Sequence, residues 1–452
     1  MTAFDGRRRI PAGCIMRGIG FAIVAFVLAA CDGGFLGADD EKKLPGTRVS
    51  VLRLEQSLKP DPELADTKIK LPTPVQNSDW PMAGGTPQHA LHHVVANTGL
   101  KLAWSKDIGN GSSDNQRLIA APITGGGRVY VMDSESMVSA LDNRDGSKIW
   151  QISLVPEDED EGVIGGGLAY FGEVLYVTTG YGQVFALEAN SGTEKWVYKL
   201  GPPIRSAPAI SGGRIFVISH DNQLHTLNAN DGRMLWTYIG LPEITGIIGS
   251  SSPAVQGGIV VAPFASGELV ALRVENGRPI WAEQLVKSRG LTPLSSINAI
   301  RALPVIDDNR VYAINHSGRM AAVDLRTGRR AWVRNISGVQ TPWLAGEYIY
   351  LVTTQGEVIC ISRANGRIVW LQQLERFQDP EDLEGPINWS GPVLASDQLL
   401  LVSSEGEAVT ISPYDGQING RLSLPSSVKI GPVVADGTFY VLTDNGDLIA
   451  YR

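Results

Sequence analysis

One segment of this chain, Ala207–Trp236, recurs along most of its length and constrains the fold more than any other feature. Short β-forming runs in it are separated by Gly212-Gly213, Asp221-Asn222 and Asn230-Asp231-Gly232. Gly, Asn and Asp readily adopt the positive φ that tight hairpin turns require. The segment therefore predicts four strands joined by short turns, the fourth ending near Trp236. A sheet of this kind needs neighbours to bury both of its faces.

Further segments repeat the pattern in whole or in part: 121–150, 167–196, 252–281, 303–332, 341–370, 391–420 and 431–451. The last copy has no fourth strand, and Leu100–Lys106 supplies one near the other end of the chain. Closing a ring through these two segments leaves no open sheet edge, whereas a linear β stack would leave both ends uncapped. We therefore predict an all-β fold, an eight-bladed β-propeller of four-stranded antiparallel blades. Its ring is closed by pairing the N-terminal strand with the C-terminal blade.

A tryptophan recurs at the same position of the repeat, four residues after a turn glycine in six copies, three of which have an Asn/Thr-Gly turn. The series is Trp104, Trp150, Trp196, Trp236, Trp281, Trp332 and Trp370. Its spacing matches the roughly 40–50 residues of a propeller blade. A recurring position favours structural docking, with the indole wedged between blades and its N–H bonded to a neighbour. Sugar stacking or a redox relay is the functional alternative. The seventh copy has Gly420 in this place.

The first thirty residues have the order of a secretion signal. Arginines precede an apolar run, Ile19–Ala30, which is shorter than the about 20 residues that span a bilayer. The run ends in Leu28-Ala29-Ala30-Cys31, which resembles a bacterial lipobox with Cys31 as the lipid attachment site. An ordinary secretory peptide with a chance cysteine is the alternative. We therefore predict a lipoprotein signal peptide at 1–30, a lipidated tether at 31–78 and the propeller at 79–452.

Charge and cysteine content argue against a nucleic-acid-binding protein and against a fold held by disulfides. The formal net charge is −8, and removing residues 1–30 takes away four arginines and Asp5, so the mature chain carries −8 − 3 = −11. An acidic chain of this kind disfavours nucleic acid as a partner. With Cys14 removed and Cys31 acylated, Cys360 has no disulfide partner. Its apolar surroundings in the sequence predict a buried side chain.

No motif predicts catalysis, a cofactor or a metal. His89, His92 and His93 form a histidine cluster, but no second cluster accompanies them as a metal site would need. The acidic runs Glu157–Glu161 and Asp379–Glu384 have contiguous carboxylates. They lack the spacing glycines of a calcium loop, so solvated loops are expected.

The spacing Ala140-Leu141, Gly146, Trp150 resembles the tryptophan-docking motif of pyrroloquinoline-quinone (PQQ) dehydrogenases, which are also eight-bladed propellers. That resemblance implies the fold. Those enzymes carry an adjacent Cys-Cys pair and a calcium-binding acidic set, and this chain has no Cys-Cys pair. A quinoprotein dehydrogenase is therefore the runner-up function.

A lipobox, a short tether and a ring of minimal PQQ-type repeats together resemble the BamB family of the outer-membrane β-barrel assembly machinery. The resemblance implies a non-enzymatic, lipid-anchored periplasmic scaffold at the outer membrane. It implies a monomeric propeller within a hetero-complex that binds a periplasmic POTRA domain of the BamA-type insertase. Asp32 resembles an inner-membrane retention signal, which leaves the choice of membrane open. An adaptor in another envelope pathway is a third hypothesis.

In that family, loops between central blades contact the insertase. The corresponding segments here are Leu241–Ser252 and Leu294–Leu303. The predicted partner-binding residues are Ile244, Ile247 and Ile248 in the first and Ile300 and Arg301 in the second. The enteric members carry acidic residues where this chain has Ala299, Ile300 and Arg301 before Pro304, so the resemblance does not imply a charge-mediated contact here, whereas an apolar contact could survive. For Ile247 and Ile248 the alternative is a strand edge packed under the ring. Free strand edges could also take up substrate strands by β-augmentation.

Overall fold

The computed structural model describes residues 57–97, 99–159, 162–243, 249, 251–286 and 298–452. Within them the protein is all-β, with one 3₁₀ turn at Pro62–Leu64 and eight four-stranded antiparallel sheets arranged as an eight-bladed propeller. The fold class predicted from the sequence is therefore confirmed. The predicted signal peptide and the predicted lipid attachment site Cys31 lie outside the described residues.

The strands are numbered in chain order, and β1 (Leu102–Asp107) precedes the first complete blade. Blade 1 contains β2 Ile123–Gly125, β3 Arg128–Met132, β4 Met137–Asp142 and β5 Lys148–Ser153. Blade 2 contains β6 Gly167–Phe171, β7 Val174–Thr178, β8 Gln183–Glu188 and β9 Glu194–Lys199. Blade 3 contains β10 Ala209–Ser211, β11 Arg214–Ile218, β12 Gln223–Asn228 and β13 Met234–Ile239. Blade 4 contains β14 Ala254–Gln256, β15 Ile259–Pro263, β16 Glu268–Arg273 and β17 Pro279–Gln284.

Blade 5 contains β18 Val305–Asp307, β19 Arg310–Ile314, β20 Met320–Asp324 and β21 Arg330–Arg334. Blade 6 contains β22 Trp343–Ala345, β23 Tyr348–Val352, β24 Glu357–Ser362 and β25 Ile368–Gln373. A hairpin of β26 Phe377–Asp379 and β27 Glu384–Pro386 follows, and it contains the second acidic run. Blade 7 contains β28 Trp389–Ala395, β29 Gln398–Ser403, β30 Glu407–Ile411 and β31 Ile418–Ser423. Blade 8 contains β32 Val433–Ala435, β33 Thr438–Leu442 and β34 Asp447–Tyr451 together with β1.

The burial of each strand follows its place in the blade. The second and third strands, such as β3 and β4, are buried along almost their whole length, because neighbouring blades cover both faces. The outer strands, such as β5 and β9, alternate between half-buried and exposed residues. Cys360 lies in a third strand, β24, and is fully buried with a free thiol, whose pKa is raised by burial.

The ring closes in blade 8, as the sequence predicted. Strand β1 pairs antiparallel with β34, which places Trp104 opposite Ala450. Beyond the strands, the backbone N–H groups of Lys101 and Arg452 each donate to the other residue's carbonyl at 2.8 Å. The Arg452 guanidinium also donates to the carbonyls of Asn143 and Arg144 in blade 1, at 2.7 and 3.0 Å. The last blade is thereby joined to the first.

Every tryptophan of the repeat bonds to the following blade. The indole N–H groups donate to Asn143, Ala189, Ala229, Val274, Leu325, Arg363 and Pro413 carbonyls, in the order Trp104 to Trp370, over 2.7–3.3 Å. A glycine of the same turn faces each indole, and a Cβ atom built on it would lie within 2.5–2.8 Å of the ring. The constant spacing within the repeat therefore joins the turn of one blade to the indole of the blade before it.

This geometry explains why blade 7 has Gly420 instead of a tryptophan. Each indole docks on the turn that links the third and fourth strands of the next blade. In blade 8 the third strand is β34 and the fourth is β1, which precedes blade 1 in the chain. No such turn links these two strands, so an indole from blade 7 would have no turn to dock on.

The ordered unit begins upstream of the boundary predicted at residue 79. Leu58–Arg452 form one compact unit. Asp61 accepts from the Arg367 guanidinium on blade 6, and its backbone N–H donates to the Ile368 carbonyl at 2.8 Å. Farther on, Gln76 donates to the Asp436 carboxylate on blade 8 at 2.9 Å. Residues 58–78 thus pack along the blades, because their polar groups find partners that a free tether would leave to water.

Candidate functional site

The propeller has two faces that differ in what covers them. In a four-stranded meander, the first and third turns lie at one end of the strands and the second turn lies at the other, together with the connection to the next blade. We name the first end the strap face, because the segment 77–97 runs across it. We name the second the loop face. It carries both segments that the sequence singled out as partner contacts.

The strap contacts most blades in turn through backbone hydrogen bonds. Carbonyls of the strap accept from Asp436, Thr124, Tyr170, Val255, Ile306 and Ser396 N–H groups, which belong to blades 8, 1, 2, 4, 5 and 7. The strap residue Trp80 stacks on Trp343 of blade 6, with ring centroids 6.0 Å apart, while its backbone is bonded to blade 1. Because these blades are not adjacent, the stack links blade 6 to a strap residue that is bonded to blade 1.

The histidine cluster belongs to the strap and serves packing. His89 is buried, and its Nδ1 lies 2.7 Å from the Pro304 carbonyl. Burial lowers the pKa of His89 to about 4, so the ring is neutral at neutral pH. His93 lies 2.7 Å from the Pro72 carbonyl through Nδ1, and its Nε2 accepts from the Asp397 N–H. Among the described residues, no group of three or more His, Cys, Asp or Glu side chains is placed to hold a metal ion.

On the loop face, the two predicted partner segments meet in one cleft between blades 3, 4 and 5. Gly249 from the first segment and Ala299, Ile300 and Arg301 from the second line the same cleft. The remaining lining residues come from the connection before blade 3 and from turns of blades 3 and 4: Arg205, Ile218, Ser219, His220, Asn222, Pro263 and Ala265. Ile244, Ile247 and Ile248 lie outside the described residues.

Ile300 does not have the exposure expected of a partner contact. Only 3% of it is accessible, and it packs with the core residues of blades 4 and 5. Its backbone N–H donates to the Phe264 carbonyl at 3.3 Å, which fixes the start of the connection. The apolar residues before Pro304 therefore indicate a core position, because the connection between blades 4 and 5 packs against the core of these two blades.

Arg301, the next residue, is directed into the cleft. Burial lowers the pKa of its guanidinium, and no carboxylate in the described part of the chain opposes that effect. Arg205 lies in the same cleft, and its Nε is buried without a hydrogen-bond partner among the described residues. His220 stands next to it, and its pKa is lowered first by burial and then by the Arg205 charge. The cleft is therefore cationic, although the chain as a whole is acidic.

Sequence reasoning missed Arg205, although the repeat contained a signal. Ile204-Arg205-Ser206-Ala207-Pro208 and Ile300-Arg301-Ala302-Leu303-Pro304 share the pattern Ile-Arg-x-x-Pro. Both precede the first strand of a blade, blade 3 in one case and blade 5 in the other. The two arginines thus occupy equivalent positions on either side of blade 4, and the ring brings them into one cleft.

The rim of blade 3 next to this cleft is unusually apolar. Ile239, the last residue of the outer strand β13, is 71% exposed. Leu241, at the start of the first predicted segment, is 52% exposed. The other outer strands end in polar residues, such as Ser153 and Lys199. An apolar rim therefore adjoins the cationic cleft.

No helix in the described part of the chain is long and apolar enough to span a membrane.

The similarity of this chain to known proteins agrees with the propeller architecture. The family model described as "Outer membrane protein assembly factor BamB" matches residues 72–161 and 134–372. A curated relative of that name from Moranella endobia is 27% identical over 354 residues, which cover 77% of this chain and 89% of the relative.

Among solved structures, BamB from Moraxella catarrhalis superposes with a TM-score of 0.65 at 22% identity, covering 77% of this chain and 99% of that one. A quinohemoprotein alcohol dehydrogenase from Comamonas testosteroni reaches a TM-score of 0.64 at 14% identity, covering 83% and 81%. Identities this low show a shared propeller fold and nothing about activity. The family assignment depends on the sequence match, which spans well over half of the chain: this protein belongs to the family of the outer membrane protein assembly factor BamB.

Proposed function

We propose that this protein is a non-enzymatic, lipid-anchored periplasmic scaffold of outer-membrane β-barrel assembly, and that its loop face binds the POTRA region of the insertase. Its named relatives are outer membrane protein assembly factors. The single observation that carries the proposed contact is the convergence of two separate loop segments in one cleft. Gly249 and Ala299–Arg301 meet there, next to the exposed Leu241.

The two faces of the ring support this choice of contact surface. The strap occupies the opposite face with hydrogen bonds to several blades, so its polar groups are already partnered. The loop face combines an apolar rim with two arginines that form no ion pair with the described residues, and interface centres typically combine apolar anchors with arginine. Cys31 would anchor the chain in the membrane, and Ile244, Ile247 and Ile248 would add apolar contacts beside Leu241.

A binding measurement with a matched pair of leucine variants tests the proposal. The full-length lipoprotein, purified in detergent, is titrated against the insertase's purified POTRA region from the same organism. Leu241→Asp should weaken binding about 10-fold or more, because an apolar anchor is replaced by a charge that must be desolvated. Leu383→Asp is the control, since Leu383 is 64% exposed on the acidic hairpin beyond blade 6.

Failure of the wild-type protein to bind, or equal weakening by both variants, would contradict the proposed contact. The dehydrogenase alternative makes a separate prediction. Addition of PQQ and calcium would then produce a redox-active chromophore in the purified protein, and a scaffold gives none.

A further inference from the structure

The cationic cleft on the loop face points to the chemistry of the group that enters it. Arg205 and Arg301 reach it from two different connections, and no acidic residue is found among the described residues that line it. Neither guanidinium forms an ion pair with a described residue. Withdrawing a cation from water costs free energy, and an anion placed against it offsets that cost.

Both arginines stand on backbone that packing holds in place. Arg205 lies between Ile204 and Ser206, both buried, and Ile204 forms an antiparallel bridge with Ser219 of blade 3. Arg301 lies between the buried Ile300 and Ala302. The Ala302 carbonyl accepts from the Ser251 hydroxyl at 2.8 Å. The cleft is therefore preorganised, and a ligand would not have to order its backbone.

The polar neighbours of the arginines are already engaged within the protein. Asn222 donates to the Leu241 carbonyl at 2.9 Å and accepts from the Ala265 N–H at 3.1 Å. The nearby Asp221 carboxylate accepts from the Ser219 hydroxyl and the Gln223 amide. Among the described residues that line the cleft, the buried side-chain atom without a hydrogen-bond partner is the Nε of Arg205, which is a donor.

We propose that this cleft receives a carboxylate side chain, Asp or Glu, from the insertase's POTRA region, held between Arg205 and Arg301. A guanidinium matches the planar carboxylate through paired N–H donors. The apolar part of the lining, Ile218 and Pro263, suits the methylene groups of an acidic side chain and a neighbouring aliphatic residue. This inference rests on the proposed function and specifies the charge that its partner presents.

The test compares arginine variants of the full-length lipoprotein in binding to the purified POTRA region. Arg301→Met and Arg205→Met should each weaken binding about 30-fold, since removing one partner of a buried charged pair costs that much or more. Arg301→Lys should recover part of the loss, because an ammonium is a point charge without the fork of donors. Arg214→Met is the matched control. Its Nε is also buried without a partner among the described residues, but it begins the second strand of blade 3 at the strap face.

The decisive step is a charge exchange. Arg301→Glu should abolish binding to the wild-type POTRA region, and one Asp→Arg or Glu→Arg change on the POTRA surface should restore it. Thermal unfolding of each variant at or near the wild-type temperature shows that the fold is intact.

Two outcomes would contradict the binding of a carboxylate without contradicting the proposed scaffold function. One is binding that neither arginine variant changes. The other is competition by phosphatidylglycerol, added to the detergent micelles, that disappears in Arg301→Met, because the cleft would then bind a lipid phosphate. Absence of wild-type binding overturns the carboxylate and the proposed function together.

Discussion

The contact between each repeat tryptophan and the glycine of the next blade should contribute measurably to stability. Gly328 has φ of +70°, and a Cβ atom added to it would lie 2.6 Å from Cγ of Trp281. The Trp281 indole is buried, and it donates to the Leu325 carbonyl at 2.7 Å in the same turn. Gly328→Ala therefore adds backbone strain and also forces the indole away from its acceptor.

Gly257 provides the matched control. Its φ is +56°, and a Cβ atom there would have no heavy atom within 4 Å. Gly257→Ala should therefore lower the free energy of unfolding by the backbone cost alone, about 1–2 kcal/mol. Gly328→Ala carries the same cost plus about 1–3 kcal/mol for overpacking. The expected difference between the two variants is thus about 1–3 kcal/mol.

Urea unfolding, followed by circular dichroism and by tryptophan fluorescence, measures this difference where the two transitions coincide. Repeating Gly328→Ala in a Trp281→Ala background should remove the excess cost, because the clash then has no partner. The docking explanation is refuted if both alanine variants lose equal stability, or if the excess survives without the indole.

Three further predictions concern charged and titratable groups. Arg301→Met should raise the free energy of unfolding by about 1 kcal/mol in a chemical denaturation series, because it removes a desolvated cation that forms no ion pair with the described residues. A loss of stability would show that Arg301 holds the fold. The pKa of His89 is about 4 in the folded protein, against an ordinary value of 6.5. His89 should therefore leave the free energy of unfolding unchanged above pH 6.5. Below pH 6.5 it should lower that free energy, because only the unfolded chain takes up the proton. The loss at pH 5 should be about 2 kcal/mol. His89→Asn, which keeps a donor for Pro304 and tolerates positive φ, should flatten this part of the pH profile measured by thermal melts. Arg452→Ala removes the guanidinium hydrogen bonds to two carbonyls of blade 1, so it should lower the free energy of unfolding by about 2 kcal/mol. Arg233 is exposed, and Arg233→Ala, the control, should change that free energy by less than about 0.5 kcal/mol.

Much of the architecture could be predicted from the sequence because every blade of a propeller has the same local structure. Each copy must form the same turns and bury the same strand faces, so the pattern of glycine, apolar strand and tryptophan recurs with the blade. The split last copy predicted that β1 would complete blade 8. Trp281 and its counterparts stood out for the same reason, since each meets the same turn in the next blade.

The individual contacts between the strap and the blades could not be predicted in this way. These contacts are mostly backbone hydrogen bonds, as between the Pro87 carbonyl and Val255 or the Gln88 carbonyl and Ile306. Backbone groups are the same in every residue, so such contacts leave no side-chain pattern to recognise. The stack of Trp80 on Trp343 likewise joins residues that the repeat treats as unrelated.

The sequence by itself thus determined the blade, the number of blades and the closure of the ring, because these follow from local periodicity and from the need to pair every strand edge. Only the tertiary structure decided what the loop face presents. It buried Ile300 in the core and brought Arg205 and Arg301 into one cleft on either side of blade 4. Whether a side chain in a connection faces core or solvent depends on the angle at which neighbouring blades meet. That angle is set by packing around the whole ring, and no single repeat encodes it.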